Sequence, residues 1–157
     1  LRISRYVLTA SWHVAIYEAF EQQLRGFLFD EVGRREGMVF RNYCGNSKEI
    51  IEVFRYHGVD LRGLSAWSKI AEMRLLCNVI KHGDGDSGLE LHGVNPSLFK
   101  IEDGFEHIDL YRTTLLEETL AIDTTTLKGF EDAIYKFWDE LPEELQQVKF
   151  VPPKYLL

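Results

Sequence analysis

Apolar and aromatic side chains recur at alternating spacings of four and three from Tyr6 through Ala10, His13, Tyr17, Phe20 and Leu24 to Phe27. That spacing keeps one face of a helix apolar and predicts a first long helix over residues 4–30. His13 lies within the stripe, where a core or interface histidine with one hydrogen bond is expected. Residues 33–45 hold Gly33, Gly37 and Gly45 among several arginines and read as a loop. Asn46 followed by Glu49 resembles a capping box, opening a short helix through Ile50, Val53 and Phe54 that stops at Gly58. Ser65 is the expected cap of a third helix, which runs to His82 and ends at Gly83.

Beyond it the pattern weakens. The segment from Gly83 to Gly104 is rich in Gly, Asp and Ser, with short apolar pieces at Leu89–Leu91 and Leu98–Ile101, and predicts a loop or small β-hairpin. A short extended piece is expected at Thr119–Ile122. The last helix is clear: Asp123 or one of Thr124–Thr126 caps it, and Leu127, Phe130, Ile134, Phe137, Trp138 and Leu141 form its apolar face. Pro142 begins a polar tail. No repeat or second domain interrupts this order. The expectation is one mainly α domain over residues 1–157: a helical bundle with a small β-hairpin or irregular insertion between its last two long helices. The chain starts without methionine, so it is compatible with excision from a longer one.

The third helix departs from simple amphipathicity. At about 100° per residue, Arg74, Asn78 and His82 fall in one narrow stripe with Lys81 at its edge. Met73, Leu76, Cys77, Val79 and Ile80 fill the opposite half, and Trp67, Ile70 and Ala71 continue the stripe's own face toward the N-terminus. A helix apolar nearly all round is expected to be buried on both sides. The stripe should then meet hydrogen-bond partners, a facing subunit or a ligand, because an unpaired buried Arg costs several kcal/mol. Arg74 can hold a phosphate through its planar fork, and Asn78 can orient a hydroxyl or amide. His82 titrates near neutrality and suits general acid or base work. Metal-free RNA cleavage, with the neighbouring 2′-hydroxyl as nucleophile, is one chemistry open to this set. A polar zipper between helices, or terminal carbonyls satisfied by His82 and Lys81, is the structural alternative.

Composition narrows the choice. The chain is 45% hydrophobic and 13% aromatic, which is enough for a packed core rich in rings. With 18 Lys and Arg against 25 Asp and Glu, its net charge is −7. A broadly acidic surface disfavours coating of nucleic acid, though not action at one local basic site. Cys44 and Cys77 form no C-x-x-C pair, so a reducing, cytoplasmic compartment is expected. No run approaches the roughly 20 apolar residues of a membrane span, and no signal peptide is evident.

His82, Asp84, Asp86 and His92 crowd one stretch, but Leu89 and Asn95 stand where an EF-hand needs Gly and Glu, and the histidine spacing fits no zinc pattern. Neither a metal nor a cofactor is expected. Serine-hydrolase, P-loop and dinucleotide-binding motifs are absent. The basic group Arg25, Arg34, Arg35 and Arg41 could meet RNA or an acidic partner, or simply balance Asp30, Glu31 and Glu36 on a solvated loop.

The run Glu72-Met-Arg-Leu-Leu-Cys-Asn-Val-Ile-Lys-His-Gly83 resembles the signature of the HEPN superfamily (higher eukaryotes and prokaryotes nucleotide-binding). Its members are helical bundles, often dimeric, common in toxin–antitoxin and antiviral defence systems, and many are metal-independent ribonucleases. Their motif sets an Arg, often followed by Asn, a few residues before a His. Asn78 and His82 occupy the matching positions; Cys77 stands where Arg is usual, and Arg74 is the nearest arginine. The resemblance implies a HEPN-like domain that binds or cleaves RNA, with His82 as acid/base, Arg74 as phosphate anchor, and Asn78 and Lys81 as positioning and substrate-binding groups. It implies a homodimer and, in a toxin–antitoxin setting, an antitoxin or other protein partner. The competing expectation is a catalytically inactive interaction module using the same helix face.

Overall fold

The computed structural model describes residues 2–34, 37, 39, 44–83, 85–102, 105–106 and 119–146. Its first element, α1 (Arg2–Leu28), carries the predicted stripe inward: Tyr6, Ala10, His13, Tyr17, Phe20 and Leu24 are all buried. The helix then widens by a turn of π-helix, Phe29–Gly33, in which the Arg34 N–H reaches back to the Phe29 carbonyl at 2.8 Å. Helix α2 (Ser47–Tyr56) opens on the expected capping box. Asn46 Oδ1 accepts from the N–H groups of Lys48 and Glu49 at 3.0 and 3.1 Å, while Glu49 accepts from the Gly45 N–H at 2.7 Å. At Gly58 the chain leaves α2 with φ +87°, a conformation that favours glycine.

Helix α3 (Trp67–His82) is the centre of the bundle and packs against α1, α4 (Asp86–Val94) and α5 (Thr124–Glu140). Ile70, Met73, Leu75, Leu76, Cys77, Val79 and Ile80 are buried. Ser65 does not cap this helix as expected: its hydroxyl donates to Glu140, and the same carboxylate accepts from the Ala66 N–H at 3.3 Å. The cap is thus supplied from the last turn of α5. A carboxylate there satisfies an end donor and complements the positive end of the α3 dipole. These bonds hold the Glu140 carboxyl below its usual range, the Ser65 hydroxyl contributing most. Gly83, at φ +81°, ends α3 where predicted.

The stretch after Gly83 differs from the loop or hairpin expected there. Its apolar piece around Leu89–Leu91 is part of helix α4, with Leu91 fully buried and Leu89 exposed. Local composition, with Gly88 and Gly93 inside the helix, argues against helix; packing on α3 overrides it. The half-buried Asn95 adds a tie, donating at 3.0 Å to Glu72, which also pairs with Lys69 at 2.7 Å. A turn of 3₁₀-helix, Pro96–Leu98, follows. Strands β1 (Ile101–Glu102) and β2 (Phe105–Glu106) then form a two-residue antiparallel ladder, Ile101 opposite Glu106. The extended piece expected near Thr119 pairs with the chain around Phe99, the Lys100 and Ala121 N–H groups donating to Thr119 and Leu98 at 3.0 and 2.8 Å.

Helix α5 begins at its predicted cap, Asp123, whose side chain accepts from the N–H groups of Thr125 and Thr126. Phe130 and Phe137 are fully buried, and Phe20 meets Phe137 edge to face at 5.1 Å. The tail after Pro142 is less polar in effect than its sequence: Leu145 is buried, and His57 Nδ1 lies 2.9 Å from the Gln146 carbonyl. No helix among the described residues is long and apolar enough to cross a membrane.

If α4 is a packed helix, Leu91→Ala should destabilise the protein by about 2–5 kcal/mol. Leu89→Ala, on the same helix but exposed, should change stability by less than about 0.5 kcal/mol. Urea denaturation of the two variants checks this, and equal small effects would restore the loop reading.

Candidate functional site: the α3 polar stripe and the adjoining cleft

The stripe on α3 is not sealed inside the bundle. Arg74 and Asn78 are half-buried, and Lys81 and His82 are exposed, so the expectation of a helix buried on both sides fails along this strip. The apolar residues of α3 are consumed by α1, α4 and α5, and the strip of polar side chains is what remains at the surface.

Helix α1 forms the stripe's neighbour. Glu18 pairs with Lys81 at 3.1 Å, both groups remaining about half exposed, so the pair adds little to stability. One turn deeper, the Cys77 thiol donates to the His13 carbonyl at 3.4 Å. Burial pushes that thiol up to about 12, which makes it a poor nucleophile. Tyr17 donates to Glu21 at 3.0 Å, and burial, then the Glu21 charge, raises its phenol, with the Arg74 charge opposing. Arg74, Asn78 and His82 have no ion pair with any described residue.

The helix separates the members of the stripe. His82 is eight positions beyond Arg74, about 12 Å along the axis at 1.5 Å per residue. Helical side chains lean toward the N-terminus, and Arg74 leans that way. It lines an open cleft of about 200 Å³ between α1, α2 and the N-terminal half of α3, floored by Phe20, Ile51, Trp67 and Ile70. Lys48 and Arg62 line the same cleft; Asn78, Lys81 and His82 do not. Sequence reasoning missed Lys48 and Arg62. Lys48 lies in the first turn of α2 and Arg62 in the 3₁₀ turn Leu61–Gly63, and no local pattern links either to Arg74.

Arg25 and Arg34, near the end of α1, do not line the cleft. Arg34 pairs with Asp30 at 2.5 Å on the surface, and Arg35, Glu36 and Arg41 lie outside the described residues. Of the stretch weighed for a metal, Asp84 lies outside the described residues, and His92 packs edge-on against Phe99 at 5.2 Å. Among the described residues no group of three or more His, Cys, Asp or Glu side chains is placed to hold a metal ion. Comparison with known protein families, characterised proteins and solved structures finds no match to this chain.

Behind the stripe, His13 is fully buried, its Nδ1 2.8 Å from the Thr9 carbonyl and its ring edge-to-face with Phe130. Its Nε2 has no hydrogen-bond partner. Burial lowers its pKa, opposed by the Thr9 carbonyl and the Asp123 charge, so the fold holds it neutral while an unfolded chain takes up a proton near the usual histidine value. The contribution to stability is therefore complete above about pH 6.5 and is lost as pH falls from there toward the folded-state pKa. Urea denaturation at a series of pH values should show stability declining on this limb, and the decline should be shallower in His13→Gln. An unchanged slope would mean that His13 does not carry the effect.

Proposed function

We propose that this chain is a HEPN-like helical domain whose α3 face binds RNA, Arg74 serving as the phosphate anchor. The observation that carries the reading is Arg74 itself: half-buried, lining a cleft, and free of any carboxylate partner among the described residues. A guanidinium so placed has lost part of its hydration and gains most from a bidentate anion. Asn78 and the exposed His82 extend the face along the helix, and Lys81, paired with Glu18, flanks it.

Binding is better supported than cleavage by one chain. In metal-free cleavage the 2′-oxygen attacks the adjacent phosphorus, the 5′-oxygen leaves, and a histidine handles protons at the same phosphate that the arginine holds. Arg74 and His82 are spaced about 12 Å apart along the helix axis, which suits contacts to different nucleotides. A cleaving site would need Arg74 of one copy to meet His82 of another, as in a homodimer. A prokaryotic defence or toxin–antitoxin system is the setting this reading implies.

The second reading, a catalytically inactive interaction module, is favoured by two observations. Cys77 turns inward to the His13 carbonyl instead of offering a second cation beside Asn78. Leu8 and Trp12, one turn apart on α1, are 62% and 61% exposed, as a protein-facing surface would leave them.

Fluorescence anisotropy with a labelled single-stranded RNA, in chelator and at low salt, separates the readings. The folded protein should bind, affinity should fall as salt rises, and Arg74→Ala should weaken binding roughly tenfold. Gel analysis of the same samples reports cleavage, which must disappear in His82→Ala if it belongs to this site. No binding by the folded protein at low salt would leave the interaction module standing.

A further inference from the structure

We infer that the cleft between α1, α2 and the N-terminal half of α3 is a binding site for a small phosphomonoester with an apolar or aromatic body. Its lining divides by chemistry. The floor is apolar, with Phe20, Ile70 and the half-buried Trp67 ring, while Lys48, Arg62 and Arg74 supply three cations against one carboxylate, Glu21. Glu21 already accepts the Tyr17 hydroxyl. Arg62 and Arg74 have no ion pair among the described residues. On a chain of net charge −7, a local excess of positive charge over an apolar floor is a selective feature.

Charge sets the anion. Lys48 and Arg62 also border a neighbouring depression lined by Arg55, Glu52 and Asp60, where the Asp60 side chain accepts the Arg62 backbone N–H at 3.1 Å. Arg74 lies apart from those two carboxylates, in the cleft where Glu21 is the one acidic side chain among the described lining residues. Three cations and one engaged carboxylate match a dianion better than a monoanion, and a phosphomonoester is mostly dianionic above its second pKa of about 6. Two guanidinium forks give its oxygens bidentate partners.

Volume sets the body. At about 200 Å³ the cleft is smaller than the roughly 300–1,000 Å³ of sites for drug-sized ligands and cofactors. One ring or branched aliphatic group fills it, and a dinucleotide does not. This goes beyond RNA binding along α3: Asn78, Lys81 and His82 take no part, and only Arg74 is shared.

Calorimetric titration of the protein with phenyl phosphate, inorganic phosphate and benzyl alcohol tests the assignment. Phenyl phosphate should bind at least roughly tenfold more tightly than either other probe, because each lacks one half of the recognised chemistry. Arg62→Gln and Arg74→Gln should each weaken it roughly tenfold, whereas Arg34→Gln, which removes a cation elsewhere, should not. Circular dichroism checks folding; should Arg74→Gln unfold, Arg62→Gln on its exposed turn carries the test. No binding of phenyl phosphate, binding equal to inorganic phosphate, or insensitivity to Arg62→Gln would overturn the inference. A 5′-phosphorylated RNA that displaces phenyl phosphate with higher affinity, and is weakened by Arg62→Gln, would also overturn it in favour of an RNA end. RNA binding lost while phenyl phosphate binding persists would refute only the RNA reading.

Discussion

Burial of α3 on three sides is the constraint from which the other features follow. Met73, Leu76 and Val79 are fully buried under α1, α4 and α5, and side chains of this size contribute about 1.5–3 kcal/mol each when removed from water. To surround one helix this way, α1 needs its long aromatic stripe, α5 must bring Phe130 and Phe137 inward, and a Gly-rich stretch must become α4. Hydrogen-bonded ties then fix the arrangement at particular points. Glu140 of α5 caps the start of α3, and Glu72 of α3 is held by Lys69 and by Asn95 beyond α4. Glu72 is buried where an unpaired carboxylate would be costly, so its partners favour a single arrangement there.

The same burial decides where chemistry can occur. Only a narrow strip of α3 is left to solvent, and its two ends face different surroundings. Arg74 stands in a cleft with an apolar floor and two further cations, whereas His82 is exposed at the last residue before Gly83. The Cys77 side chain, one residue before Asn78, points into the core and donates to the backbone of α1. The polar strip thus places Arg74 beside Lys48 and Arg62 and leaves His82 apart from them.

Much of the bundle was legible in the residue pattern because the signals were local. Stripe spacing located α1 and α5, the Asn46–Glu49 pair located the start of α2, Asp123 the start of α5, and Gly58 and Gly83 two ends. Each depends on residues within a turn or two, where backbone propensity and hydrogen bonding act without tertiary help. Helix α4 was not legible, since its glycines oppose helix and only Leu91 packing on α3 reverses the balance. The cap on α3 was misread for a related reason: Ser65 is a good local acceptor, but Glu140 lies 75 residues away.

The candidate site divides along the same line. Sequence alone placed Arg74, Asn78, Lys81 and His82 on one side of a helix, because helical periodicity is a property of the chain itself. It also placed Cys77 on the opposite, buried side. Only the tertiary structure decided that this polar side reaches solvent, that Lys81 is engaged by Glu18, and that Arg74 shares a cleft with Lys48 and Arg62. Those three cations come from three separate elements, and what brings them together is the packing of α1, α2 and α3. Contacts between distant segments depend on how whole apolar faces close over one another, and no local pattern encodes that.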